Sequence, residues 1–186
     1  MMIRWSYRVA PSALNNEQRL AKGVIYLNIR KIQPADNQTI KKVIQTSLEK
    51  HGLNIPGTAY FDPQLGDLYG YYNGIPNAAY WVVELNGVVV GGIGIAPYDT
   101  ANSICELQKF YLDDAAQGKG YGKQLMEAAL SFAKTHYKQC YLETMHDLKT
   151  ACILYKKYGF QLLDAPLPGS EHSTMDAWYL KDLTQK

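Results

Sequence analysis

The sequence predicts one mixed α/β domain, and three observations carry that prediction. A strand-like run, Ile104 to Leu112, leads into a glycine-rich stretch, Gln117-Gly118-Lys119-Gly120-Tyr121-Gly122, which opens a helix-like run from Tyr121 to about His136. Two apolar runs, Ala79 to Leu85 and Val88 to Ile95, flank Asn86-Gly87, a pair that tolerates positive φ and so signals a β-hairpin. The order of elements is strand, helix, a short helical or looped segment, hairpin, strand, helix, strand, helix, strand, strand. That order is a mixed sheet, not a repeated βαβ array.

From the N-terminus, residues 1–23 are polar, carry Pro11 and Asn15-Asn16, and show little periodicity. They read as an extension, and residues 24–186 as the domain. Val24 to Ile32 alternates as a strand does, with Ile25, Leu27 and Ile29 on one face. Asp36 or Asn37 can cap a helix with Ile40, Val43, Ile44 and Leu48 on one face, and Gly52 can end it. Residues 56–76 are rich in glycine, proline and tyrosine. A final strand is expected near Met175 to Leu180.

Composition narrows the function. A chain of 186 residues suits one domain with a real core, and 47% apolar with 19% charged residues is globular composition. A net charge of +2 with scattered lysines leaves no nucleic-acid footprint. No apolar run approaches the ~20 residues of a membrane span, and residues 1–10 lack a signal-peptide core. A cytoplasmic protein with no membrane partner is the expectation. Cys105, Cys140 and Cys152 are odd in number and fall within predicted elements, as packed, reduced thiols do. The spacing of His136, Cys140 and His146 fits no common zinc pattern.

The glycine-rich stretch carries the chemistry. Glycines let backbone approach a ligand closely, and the free N–H groups of a first helical turn bind anions, so a phosphate or pyrophosphate is expected here. Two familiar loops fail. A nucleotide-triphosphate loop needs a glycine where Gln117 stands and a hydroxyl where Gln124 stands. A dinucleotide fingerprint needs a third glycine where Lys123 stands, and no acidic-terminated strand follows.

Gln117, Gly120 and Gly122 instead match [QR]-x-x-G-x-[GA], and the stretch resembles the pyrophosphate loop of the GNAT superfamily of N-acetyltransferases. Glu106 to Leu112 resembles the family's central strand, and Tyr141-Leu142-Glu143-Thr144 its next strand. Ala151 to Phe160 resembles its helix signature, A-x-x-L-Y-x-x-x-G-F. The specific likeness spans residues 104–163, with a weaker element order over 24–182. It implies a central, mostly antiparallel twisted sheet, with a splayed pair of strands, flanked by helices.

The resemblance also implies an acetyl-CoA-dependent N-acetyltransferase working by direct attack in a ternary complex. Acetyl-CoA would place its pyrophosphate on the N–H groups of Gln117, Gly118, Lys119, Gly120, Tyr121 and Gly122, with Lys119 and Lys123 either adding charge or simply solvated. Its pantetheine arm would lie along Phe110, Tyr111 and Leu112, one of whose N–H groups would polarise the thioester carbonyl. Glu106 would be the catalytic base and Tyr155 the acid that protonates the departing thiolate, with Glu143 as the alternative base. For Glu106 the plain alternative is a solvated or lysine-paired glutamate, and for Tyr155 a packed core ring. One position departs from the family: Leu148 stands where an asparagine often contacts the cofactor, and Asp147 is adjacent.

The acceptor is left open as a small-molecule or peptide amine. Tyr60, Tyr69, Tyr71, Tyr72 and Tyr80 form either an aromatic wall for an ammonium or ordinary packing. Proteins of this family are commonly homodimers, which leaves a homodimer open here. The competing reading is a non-catalytic acyl-CoA-binding or sensing protein on the same fold. No histidine is recognisably paired with a cysteine, which speaks against an acyl-enzyme.

Overall fold

The computed structural model describes residues 26–170 and 174–184; the predicted extension, residues 1–23, lies outside them. A seven-stranded sheet runs in the order β1-β2-β3-β4-β5-β7-β6. Its strands are β1 (Leu27–Lys31), β2 (Ala79–Leu85), β3 (Val88–Asp99), β4 (Ile104–Leu112), β5 (Gln139–Thr144), β6 (Gln161–Leu163) and β7 (Ala177–Asp182). The helices are α1 (Asn37–Lys50), α2 (Leu68–Gly74), α3 (Tyr121–His136) and α4 (Lys149–Lys157). Neighbouring strands pair antiparallel except β4 and β5, which are parallel.

Period-2 alternation divides the buried residues between the two sheet faces. Ala79, Trp81 and Val83 of β2 join α3 and α4 in one core, with Leu125, Met126 and Ala129 fully buried there. Tyr80 and Val82 point the other way and join Ile40, Ile44 and Leu48 of α1 and Leu68 and Tyr72 of α2. Glycines in β3 make room for two of those rings. A Cβ on Gly92 would lie 2.4 Å from the Tyr80 ring, and one on Gly94 would lie 2.3 Å from the Tyr72 hydroxyl.

The hairpin forms as its sequence predicts, with φ of 51° at Asn86 and 84° at Gly87. The start of α1 differs from expectation. A 3-10 turn, Pro34–Asp36, precedes it, and the Asp36 side chain does not cap the helix. That carboxylate accepts two bonds from Arg30, at 2.6 and 3.0 Å, and one from the Gln33 N–H. The bidentate cation and the Gln33 N–H occupy the oxygens that a cap would have used. The last strand begins two residues later than predicted, at Ala177.

Two irregularities in β4 shape the functional region. Its pairing with β5 covers only Ile104↔Gln139, Cys105↔Cys140 and Glu106↔Tyr141, after which the strands part. Its register with β3 jumps from Gly94↔Gln108 to Gly92↔Tyr111, leaving Lys109 and Phe110 opposite Ile93. Lys109 sits at this bulge with φ of 49°.

Candidate active site

One end of the β4–β5 opening is bounded by the glycine-rich turn. Gly118 and Gly120 have φ of 71° and 83°, and a Cβ on either would meet nothing within 4 Å. Glycine is needed there for conformation, and the space beside the turn is open. Gly122 has the opposite reason. A Cβ there would stand 3.2 Å from Leu112 and 3.3 Å from Phe110, so the start of α3 lies directly against the end of β4. The Gln117 amide donates to the Leu112 carbonyl at 3.2 Å and to Asp114 at 3.3 Å, fixing the turn to that strand end.

Gly120 is the N-cap residue of α3 and makes no side-chain cap. The first bond back into the helix runs from the Gln124 N–H to the Gly120 carbonyl at 3.3 Å. The N–H groups of Tyr121, Gly122 and Lys123 precede it and are the orphan donors of a helix start, at the positive end of the dipole. Tyr121 turns its ring into the core, so its backbone alone faces the turn. Lys119 is exposed, and Lys123 lies 3.7 Å from Glu127 on its own helix.

Tyr155 is 5% exposed on α4, its ring 6.0 Å from Phe160 and 5.9 Å from Tyr179. Burial pushes its phenol well above the usual value, and the phenols of Tyr111 and Tyr179 and the Cys152 thiol push the same way. Tyr111 belongs to the opposite sheet face, where it packs on the α1–α2 core. Leu148 stands at the N-cap of α4 with no side-chain cap, and Asp147 is exposed beside it and supplies none.

The α1–α2 side of the opening holds a small cleft whose lining includes Glu106, Gln108, Lys109, Tyr111, Glu143 and Met175. Glu106 is 8% exposed and accepts a bond from the Gln108 amide at 2.6 Å; Gln108 in turn accepts from the Tyr72 hydroxyl at 3.0 Å. Across the parallel pair, the Tyr141 hydroxyl donates to Glu143 at 2.9 Å. Glu106 and Tyr111 line this cleft, whereas Tyr155 belongs to the core on the other face of the sheet. A larger groove, between α1 and the β3–β4 end, is lined by Thr39, Lys42, Ser47, Leu112 and Asp114 and holds neither residue.

The tyrosines of the glycine- and proline-rich segment divide. Tyr72 and Tyr80 are fully buried with ring centroids 5.1 Å apart, so they pack, and Tyr60 donates to Glu49 at 2.7 Å. Cys105, Cys140 and Cys152 are all buried and free, and burial beside Cys105 pushes the Cys140 thiol up, which suits packing rather than nucleophilic attack. Gln108, Lys109 and Asp62 escaped the sequence reading. The available signal was a lysine at a core position of a strand, where an unpaired charge does not belong.

The profile of the Acetyltransferase (GNAT) family matches residues 50–160. This chain belongs to the GNAT acetyltransferase family. The Escherichia coli K12 N-acetyltransferase YjgM, itself uncharacterized, is 41% identical over 158 residues, covering 83% of this chain and 94% of that one. A GNAT-family acetyltransferase from Staphylococcus aureus Mu50 superposes with a TM-score of 0.72 at 22% identity, over 85% of this chain and 99% of the other. A phosphinothricin acetyltransferase from Sinorhizobium meliloti, solved in complex with acetyl-CoA, superposes with a TM-score of 0.65 at 19% identity, over 84% and 88%. The GNAT fold, with its splayed central strands, and acyltransferase enzyme activity follow from membership. Among the described residues, no helix is long and apolar enough to cross a membrane.

Proposed function

We propose that this GNAT enzyme transfers an acetyl group from acetyl-CoA to a primary amine by direct attack in a ternary complex. The carrying observation is the opening of β4 from β5 beyond Glu106↔Tyr141, with the glycine turn at one end and a buried carboxylate at the other. Acetyl-CoA supplies the activated acetyl thioester. The residues present fit it: the open side of Gly118 and Gly120 and the orphan N–H groups of Tyr121, Gly122 and Lys123 suit a pyrophosphate. Phe110, Tyr111 and Leu112, paired with β3 on one side, offer the arm the β4 edge that faces away from β3, where pairing with β5 has ended.

Glu106 takes a proton from the acceptor ammonium, directly or through a water, which frees the nitrogen lone pair. The nitrogen–carbonyl carbon bond forms and the carbon–sulfur bond breaks. Tyr155 gives its proton to the departing sulfur; the nitrogen sheds its second proton to solvent as the amide forms, and solvent reprotonates Tyr155. Burial suits the acid's role: it keeps Tyr155 protonated at neutral pH. Gln108, held by Tyr72, aims the Glu106 carboxylate.

The cleft favours a cationic acceptor. It presents Glu106 and Glu143, while Lys109, the lysine among its lining residues, is already paired with Asp62. A dicarboxylic amine would meet like charge there. Three buried, free thiols fit a reducing compartment, and we place the enzyme in the cytoplasm. A thiol-release assay with acetyl-CoA and a panel of amines tests the reading. Release with one amine class, sharply reduced in Glu106→Gln and Tyr155→Phe, supports it. Acetyl-CoA binding with no release from any amine would favour the non-catalytic reading.

A further inference from the structure

We infer that Lys109 is a positioning residue, whose buried pairing with Asp62 latches the segment covering the acceptor cleft onto the bulge of β4; this rests on the acetyltransfer reading above. The Lys109 side chain is 2% exposed and that of Asp62 14%, with 2.5 Å between ammonium and carboxylate. A lysine is almost never buried unless paired, and a pair this dry costs desolvation that a surface lysine would avoid. Its backbone is also unusual, with φ of 49° in a region that disfavours a side chain. The Tyr80 hydroxyl holds the Lys109 carbonyl at 2.9 Å, so the bulge is fixed from both side chain and backbone.

Asp62 stands between two 3-10 turns, Ala59–Phe61 and Pro63–Gly66, and its carbonyl accepts from the Leu65 N–H at 3.0 Å. The turn ahead of it begins at Thr58, whose hydroxyl donates to the carbonyls of Leu53 and Ile55. Ala59 in that segment and Lys109 itself both line the cleft. Directly after Lys109 come Phe110, Tyr111 and Leu112, the strand end assigned to the donor. One ion pair therefore joins the acceptor's cover to the donor's strand.

Lys109→Gly separates the two roles, because glycine keeps the positive φ while the ammonium is lost. We expect amide hydrogen exchange over residues 58–67 of the full chain to rise by about tenfold or more, with α3 unchanged. The KM for the amine should rise about tenfold, and the dissociation constant for acetyl-CoA, by calorimetry, should stay within about twofold. If Lys109→Gly does not fold, Lys109→Met with Asp62→Asn, a neutral pair of similar size, is measured the same way. Unchanged exchange over 58–67, or loss of donor and acceptor binding in equal measure, would overturn the latch. A wild-type protein that acetylates no amine would instead sink the acetyltransfer reading, with exchange still deciding whether the latch exists.

Discussion

The two sides of the β4–β5 opening are built from different materials. The side proposed for the donor is backbone: Gly118 and Gly120 in left-handed conformations, three orphan N–H groups on α3, and the edge of β4 that β5 leaves unpaired. The side proposed for the acceptor is side chains: Glu106, Gln108, Tyr72 and Glu143, with Asp62 and Lys109 behind them, gathered from positions far apart in the chain. A backbone site needs only a local run of residues with the right conformational freedom. A side-chain site needs distant segments to arrive together, and its chemistry can change while the fold stays the same.

The sharpest way to break that contrast is to remove one functional side chain and leave the backbone site intact. Glu106→Gln should lower kcat/KM by about 10²–10⁴, the range of a lost general base. The acetyl-CoA dissociation constant should be unchanged by calorimetry. A parallel loss of donor binding would mean that the two sides are not separable.

Tyr155→Phe should lower kcat by about 10–100-fold with little change in either KM, measured by thiol release. Its phenol is raised by burial, so its neutral form persists from low pH up through the ordinary phenol value near 10. Between pH 6 and 9, no falling limb of the wild-type rate should come from this group. Such a limb, absent in Tyr155→Phe, would show that the phenol titrates where burial says it does not.

The same contrast explains what could be read from the sequence. The strand, turn and helix around Gln117 to Gly122 were legible because they form a continuous motif of recognisable period. The Asn86-Gly87 hairpin was legible for the same local reason. The network holding Glu106 was not, since Tyr72 reaches Gln108 from 36 residues away and Asp62 reaches Lys109 from 47. Nor was the bulge, which exists only in the register between β3 and β4. Asp36 shows how a local rule loses: a capping residue by type, it is claimed by Arg30, which also binds Glu84 at 2.7 Å.

A change to the donor side alone should leave the chemistry in place. Gly120→Ala has space for its methyl but must hold a φ of 83°, a strain of about 1–2 kcal/mol. We expect acetyl-CoA affinity to fall about tenfold by calorimetry, with kcat at saturating donor nearly unchanged. The smallest effect concerns charge in the acceptor cleft. A diamine should have a kcat/KM about tenfold above that of aspartate, and the gap should narrow as salt rises to about 1 M. A preference for aspartate would contradict the cleft's charge.

The central claim is that Glu106 takes the acceptor's proton inside the opening between β4 and β5. The most direct test is the rate of thiol release against pH, with one saturating amine, in wild type and Glu106→Gln. The account predicts a wild-type rate that climbs with pH as the carboxyl loses its proton, and a slow variant in which that limb is gone while acetyl-CoA still binds. A variant that keeps both the limb and the rate would place the base elsewhere.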